Sequence, residues 1–121
     1  MLNLDTHILI DFVRDGLSPR ELKLIEKHQD ELVISDIVLW EIAKLKSKKR
    51  IEIDLKSQKF QKILRHIQVL PITAEIASLS VNLDFKSDPA DEIIAATSVV
   101  HRGLLLTRDK AILKSKQVSF A

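Results

Sequence analysis

Four short apolar runs, MLNL, ELVIS, IQVLPI and LLLT, recur along the chain, and segments with helical spacing separate them. Apolar runs of this length, without polar alternation, suit strands covered on both faces. Strands of that kind alternating with helices predict an α/β fold with a parallel sheet and helices on both sides. The intervening segments supply the helices. HILIDFV is one. PRELKLIEKHQ is opened by Pro19, a favoured first-turn residue, and carries helical spacing at Leu22, Ile25 and His28. DIVLWEIAKLKSKK follows with Ser35 as its N-cap, then QKFQKILRHI, then TAEIASLSVNL behind Thr73 as N-cap. PADEIIAATSVVHR is a long helix that Gly103 can end, KAILK is a single turn, and QVSF reads as an edge strand. The 121 residues predict one domain, 1–121, and 2 glycines and 3 prolines argue against long flexible linkers. A chain of this size buries roughly two-thirds of its unfolded surface and needs no covalent staples.

Right-handed crossovers bring the carboxyl ends of parallel strands to one edge, and ligands bind outside that edge. The first strand ends as NLDT, placing Asp5 and Thr6 there, and the last ends as LLTRD, placing Thr107 and Asp109 there. Glu41 lies on the helix after the second strand, and Asp91 in the first turn of the helix that feeds the last strand. Each acid also has a plain structural reading. Asp5 and Asp109 precede helical turns and can be N-caps; Asp88 is the natural N-cap of its helix, with Asp91 an N3 carboxylate beside the dipole. Glu41 can pair with Lys44 on the polar stripe next to Val38, Ile42 and Leu45.

Taken together the acids point elsewhere. Carboxylates converging without a counter-ion repel and raise one another's pKa, and a hard divalent cation relieves that cost. The chain has no cysteine, so disulfides and thiolate sites are excluded; oxygen ligands suit Mg²⁺ or Mn²⁺, which stay open to a phosphate and can supply hydroxide.

The stretches LNLDTHILID, ISDIVLWEIAKLK, LPITAEIASLS and DPADEIIAATSVVHRGLLLTRDKAI resemble, in order and across nearly the whole chain, the PIN-domain ribonucleases, especially VapC-type toxins of toxin–antitoxin pairs. The resemblance implies a three-layer α/β/α fold around a mainly parallel sheet of four or five strands. It implies a Mg²⁺- or Mn²⁺-dependent endoribonuclease leaving 5′-phosphate and 3′-hydroxyl ends. Its acidic quartet maps onto Asp5, Glu41, Asp91 and Asp109, with Asp5, Asp91 and Asp109 on the metal, and its hydroxyls map onto Thr6 and Thr107. The implied partners are RNA and a cognate antitoxin whose tail sets a basic side chain among the carboxylates; a homodimer is expected. Relatives often carry Arg after the DPAD acid, where this chain has Glu92, and its C-terminus is short after QVSF.

Net charge is +2, so only the placement of charge is informative. KLKSKKR, residues 44–50, is a solvated helix end or a phosphate contact; Lys44 and Lys48 are the substrate-binding candidates, following Glu41 by three and seven positions. His7, His28, His66 and His101 show no ligand spacing, with His7 read as a packing or supporting residue, and Trp40 is read as core. Ser35 and Ser98 have no recognisable base, and no Gly-rich phosphate loop is present. The start, MLNLDTHILI, has no basic leader, and no apolar run approaches the ~20 residues of a membrane span; a soluble cytoplasmic protein is expected. A non-catalytic PIN-like module binding RNA or a basic protein is the alternative function. A receiver or haloacid-type phosphatase ranks lower, because Asp5 is followed by Thr6 and His7 rather than by a second acid.

Overall fold

A computed structural model describes all 121 residues. Strands β1 (Leu2–Leu4), β2 (Leu32–Ser35), β3 (Gln68–Leu70) and β4 (Leu104–Leu106) form one sheet in the order β3-β2-β1-β4, and every pairing is parallel. The helices are α1 (Thr6–Val13), α2 (Pro19–Lys27), α3 (Ile37–Ser47), α4 (Gln58–Leu64), α5 (Ala74–Ser80), α6 (Pro89–His101) and α7 (Lys110–Leu113). This is the expected α/β architecture with four full strands. The QVSF segment does not become a fifth: it makes a single parallel bridge, Leu105 to Phe120.

β1 and β2 are buried along their whole length, as strands covered on both faces must be. Leu2 and Leu4 point one way into a core of 19 buried apolar residues. Asn3 points the other way, towards α6, where its amide donates to the Ile94 carbonyl at 3.2 Å and the Ser98 hydroxyl at 2.8 Å. The buried face of α6 includes Ala90, Ile94, Ala95, Ala96, Thr97 and Ser98, and these mostly small residues let the helix lie close to the sheet and to α5. Ile94 is fully buried, and truncating such a side chain costs about 2–5 kcal/mol.

Several local expectations change. Ser35 is the last residue of β2, and Asp36 occupies the N-cap position of α3 without a side-chain cap; the Ser35 hydroxyl instead accepts from the Ile37 N–H at 3.3 Å. Thr73 caps α5 as expected. Asp88 holds the N-cap position of α6, but its side chain makes no capping bond. At the other end of α6 the left-handed residue is Arg102 (φ 55°), not Gly103. Gly103 follows it, its N–H reaching the Ser98 carbonyl at 2.9 Å, and an added Cβ there would meet the Met1 side chain at 2.9 Å. Glycine at 103 therefore serves close approach, not backbone freedom. QKFQKILRHI yields its helix only to Leu64, since β3 must begin at Gln68.

Trp40 is not in the core: it is 55% exposed. The stripe of α3 that faces inward is taken by Val38 and Ile42, and a residue two positions from either lies nearly opposite on a 3.6-residue helix.

Candidate active site

The strand order reverses direction at β1: the chain steps outward through β2 and β3, then returns to place β4 on the free side of β1. A crevice opens at such a switch point, outside the carboxyl ends of the two strands. Here those ends carry Asp5 with Thr6, and Thr107 with Asp109.

Asp5 is 4% exposed and serves as both cap and site residue. Its Oδ1 accepts from the Thr6 N–H at 2.8 Å, and its Oδ2 accepts from the Thr107 hydroxyl at 2.6 Å. The same Thr107 oxygen accepts from the Asp109 N–H at 3.0 Å, so one hydroxyl links the two strand-end acids. Asp109 caps α7 through Oδ1, which accepts from the N–H groups of Ala111 (2.8 Å) and Ile112 (3.1 Å). Across the crevice the Thr6 hydroxyl donates to Glu41 Oε1 on α3. Both threonines thus hold an acid. Asp91 stands in the first turn of α6, with Oδ2 accepting from the Ser87 hydroxyl at 2.7 Å. Glu92, beside it, turns back to the Ser87 N–H at 3.5 Å.

The acids act on one another. Burial pushes Asp91 up to about 6, and the charges of Asp5, Asp109 and Glu41 add to the rise against the Ser87 hydrogen bond. Burial also raises Asp5; Thr107, the Thr6 amide and His7 offset part of this, and Asp109 adds to it. Glu41 is raised by burial in the same way, with Thr6 and His7 opposing and Asp5 and Asp88 reinforcing. The crevice therefore gathers carboxylates that no Lys or Arg of the chain pairs with.

No three of these side chains, as they stand, form a group that closes around a metal ion. The donor chemistry nevertheless fits a hard cation. Every candidate ligand is a carboxylate, and Asp91 Oδ1, Asp109 Oδ2 and Glu41 Oε2 make no hydrogen bond within the chain. Mg²⁺ keeps several waters and is held by one or two carboxylates with substrate phosphates, so a closed protein cage is not required.

Glu41 does not pair with Lys44. The Lys44 ammonium lies over the Trp40 ring, 5.5 Å from its centroid, where a cation–π attraction holds it. Lys48 is the exposed C-cap of α3, about 10 Å along the helix axis from Glu41. Neither lysine has an ion-pair partner, whereas Lys46 of the same run pairs with Asp54 at 3.5 Å. His7 is exposed beside the site rather than packed.

One cluster escaped the sequence reading. Arg108, between Thr107 and Asp109, sends its side chain away from the crevice to Asp11 on α1 and Glu21 on α2. The Arg108 hydrogen bonds, with burial opposing, hold Glu21 down at about 2. Burial pushes Asp11 up, but Arg108 and Arg14 together outweigh it and keep it below the ordinary range. A signal was present: an acid buried inside the apolar helix HILIDFV requires a charged or hydrogen-bonding partner.

The sequence model of the PIN domain matches residues 3–117. The chain is 33% identical over 89 residues to Ribonuclease VapC22 of Mycobacterium tuberculosis, a match covering 71% of this chain and 68% of that protein. A chain of a toxin–antitoxin complex from Klebsiella pneumoniae is 27% identical and superposes with a TM-score of 0.75 over 98% of this chain and 95% of the other. VapBC2 from Rickettsia felis, bound to a DNA fragment from its promoter, gives the same TM-score, 0.75, at 17% identity, over 100% and 98% of the two chains, a likeness of fold. Matched from end to end in shape and over most of its length in sequence, the chain belongs to the PIN-domain family, on its VapC side.

Proposed function

We propose that the protein is a Mg²⁺- or Mn²⁺-dependent endoribonuclease that hydrolyses RNA phosphodiester bonds as the toxin of a toxin–antitoxin pair. The observation that carries this reading is the crevice at the β1/β4 switch point, where Asp91 responds to the charges of Asp5, Asp109 and Glu41 at once. Membership of the PIN-domain family and the likeness to a VapC ribonuclease support it.

In this reading Asp5, Asp91 and Asp109 hold the metal and Glu41 completes the acidic set. When bound, such an ion polarises the phosphoryl oxygens and lowers the pKa of attacking water. The chain's own contribution is placement. Thr107 orients the Asp5 carboxylate and joins it to Asp109, Thr6 orients Glu41, and Ser87 orients Asp91. Lys44 and Lys48 meet the RNA backbone. The reaction runs in the cytoplasm; no helix is long and apolar enough to cross a membrane.

The partner in this reading is an antitoxin whose basic side chain, an Arg by preference, bridges two of the carboxylates and takes the place of the cation. Complexes of related fold described as toxin–antitoxin or VapBC assemblies support an antitoxin partner. We extend it to a homodimer, which light scattering of the purified protein tests directly.

The deciding experiment is cleavage of a pool of cellular RNAs with metal, with excess chelator, and after metal is restored, followed by mapping of the ends. Cleavage confined to the metal-containing arms, leaving 5′-phosphates, is expected. Undiminished cleavage in chelator sinks the mechanism, and a folded, metal-replete protein that binds RNA without cutting it returns the non-catalytic alternative.

A further inference from the structure

The segment 107–109 carries three side chains with three destinations. Thr107 turns to Asp5, Asp109 turns to the amides of α7, and Arg108 turns outward to a pair of acids. The Arg108 guanidinium acts as a fork. Nε and Nη2 donate to the two oxygens of Glu21 at 2.6 and 2.7 Å, and Nη1 donates to Asp11 Oδ2 at 2.5 Å. Both acids are buried, Asp11 to 8% and Glu21 to 7% exposure, and both are secured independently. Glu21 Oε1 accepts from the Ser18 N–H at 2.8 Å within the capping box of α2, and Asp11 Oδ1 accepts from Arg14 Nε at 2.7 Å. Arg108 itself remains 43% exposed, so what distinguishes the contact is bidentate geometry onto fixed acceptors rather than depth.

We propose that Arg108 is the positioning residue that sets Asp109 against Asp5, by clamping the β4–α7 segment to α1 and α2. The inference rests on the proposed reading of these acids as a metal site. Its geometry is that of two anchor points. Thr107 ties the segment to Asp5 at the start of α1, and Arg108 ties it to Asp11, six residues and about 9 Å further along the same helix. β4 pairing and Thr107 hold the segment at the Asp5 end, and Arg108 adds a second tie further along the same helix that resists rotation about that end. α7 is only 4 residues long and is seated in the core through Ile112 alone, so Arg108 supplies the polar tie on the β4 side of Asp109. The Asp109 carboxylate is locked to the α7 amides, so any pivot of the segment carries the carboxylate with it.

Arg108→Gln and Arg108→Lys separate positioning from bulk stability. Three quantities are read on each: far-UV circular dichroism, hydrogen exchange at the Asp109 amide in the metal-free protein, and Mn²⁺ affinity by electron paramagnetic resonance. Arg108→Gln should keep its fold, exchange the Asp109 amide at least tenfold faster, and bind Mn²⁺ roughly tenfold or more weakly, as loss of groups supporting metal ligands does. Lys supplies charge without the fork and should restore only part of both. A folded Arg108→Gln protein with wild-type Mn²⁺ affinity overturns the proposal, whatever its melting temperature. Should Arg108→Gln fail to fold, Asp11→Ala, which removes the α1 anchor and leaves the Glu21 pair in place, is read in the same way and decides the matter. A wild-type protein that binds no Mn²⁺ refutes the metal reading instead, and the exchange rate at Asp109 then decides whether Arg108 positions that residue.

Discussion

Replacing Asp91 by Asn tests whether burial, reinforced by the neighbouring acids, works against the Asp91 carboxylate. Asn keeps the size of the side chain and can still accept from the Ser87 hydroxyl, which lies 2.7 Å from Asp91 Oδ2. It removes one carboxylate from a cluster that no Lys or Arg of the chain pairs with. The rise of Asp91 from an ordinary 3.8 to about 6 corresponds to about 3 kcal/mol at full strength. Because the residue is only half-buried, solvent screening reduces this to about 1–2 kcal/mol. The sign follows from the raised value. The folded state holds the Asp91 proton more tightly than the unfolded chain does, so its contribution to stability is complete below pH 3.8 and is lost as pH rises through 6. In chelator at pH 7.5, Asp91→Asn should therefore be more stable than wild type by about 1–2 kcal/mol, a gain of several degrees in melting temperature. The difference should shrink to nothing near pH 4, where wild-type Asp91 is protonated. Added Mg²⁺ should raise the wild-type melting temperature and leave the variant behind. The assay is a pH series of urea and thermal unfolding curves on both proteins. An Asp91→Asn protein no more stable than wild type at pH 7.5, or shifted equally at every pH, refutes the idea that burial, reinforced by the neighbouring acids, works against the Asp91 carboxylate.

Asp5→Asn should abolish RNA cleavage while circular dichroism shows the fold intact, since Asn can still accept from Thr107 and the Thr6 amide; turnover at wild-type level would reduce Asp5 to a cap. Lys44→Ala and Lys48→Ala should each weaken RNA binding and flatten its dependence on salt by about 0.7 in the logarithmic slope for single strands, read by fluorescence anisotropy across a salt series. An unchanged slope assigns these lysines to a solvated helix face. A cognate antitoxin peptide should inhibit less well as Mg²⁺ rises, and Asp91→Asn should weaken its binding in calorimetry, because a guanidinium and a cation compete for the same oxygens. Inhibition indifferent to metal would place the block elsewhere. Glu92, which adds an acid beside Asp91 and turns back to Ser87, is expected to strengthen the peptide's attraction, so Glu92→Gln should loosen it.

What could be read from one dimension was set by short-range physics. Strand and helix periodicity depends on neighbours within a few residues, so the alternation that makes a parallel α/β sheet was legible, as were the N-cap of Thr73 and the first-turn proline of α2. Parallel strands share an edge, so Asp5, Thr6, Thr107 and Asp109 could be brought to one rim from their places at strand ends. The same pattern put Glu41 and Asp91 on the helices that flank that rim.

Tertiary structure decided whatever depends on who stands opposite. Arg108 meets acids 87 and 97 positions away, and no local pattern identifies the partner of a charge at such a distance. Trp40 looked like core by composition, yet the inward stripe of α3 was already occupied by Val38 and Ile42. Arg102, rather than the adjacent Gly103, takes the left-handed turn, while Gly103 stands where a Cβ would meet the Met1 side chain. Sequence alone determined that the acids would share an edge. Only the packing of α1, α2 and α3 around β1 and β4 decided how each is held: Asp5 by Thr107, Glu41 by Thr6, and the Asp109 segment by Arg108. Periodicity places a side chain on a face, whereas hydrogen bonds across the fold fix where its oxygens point.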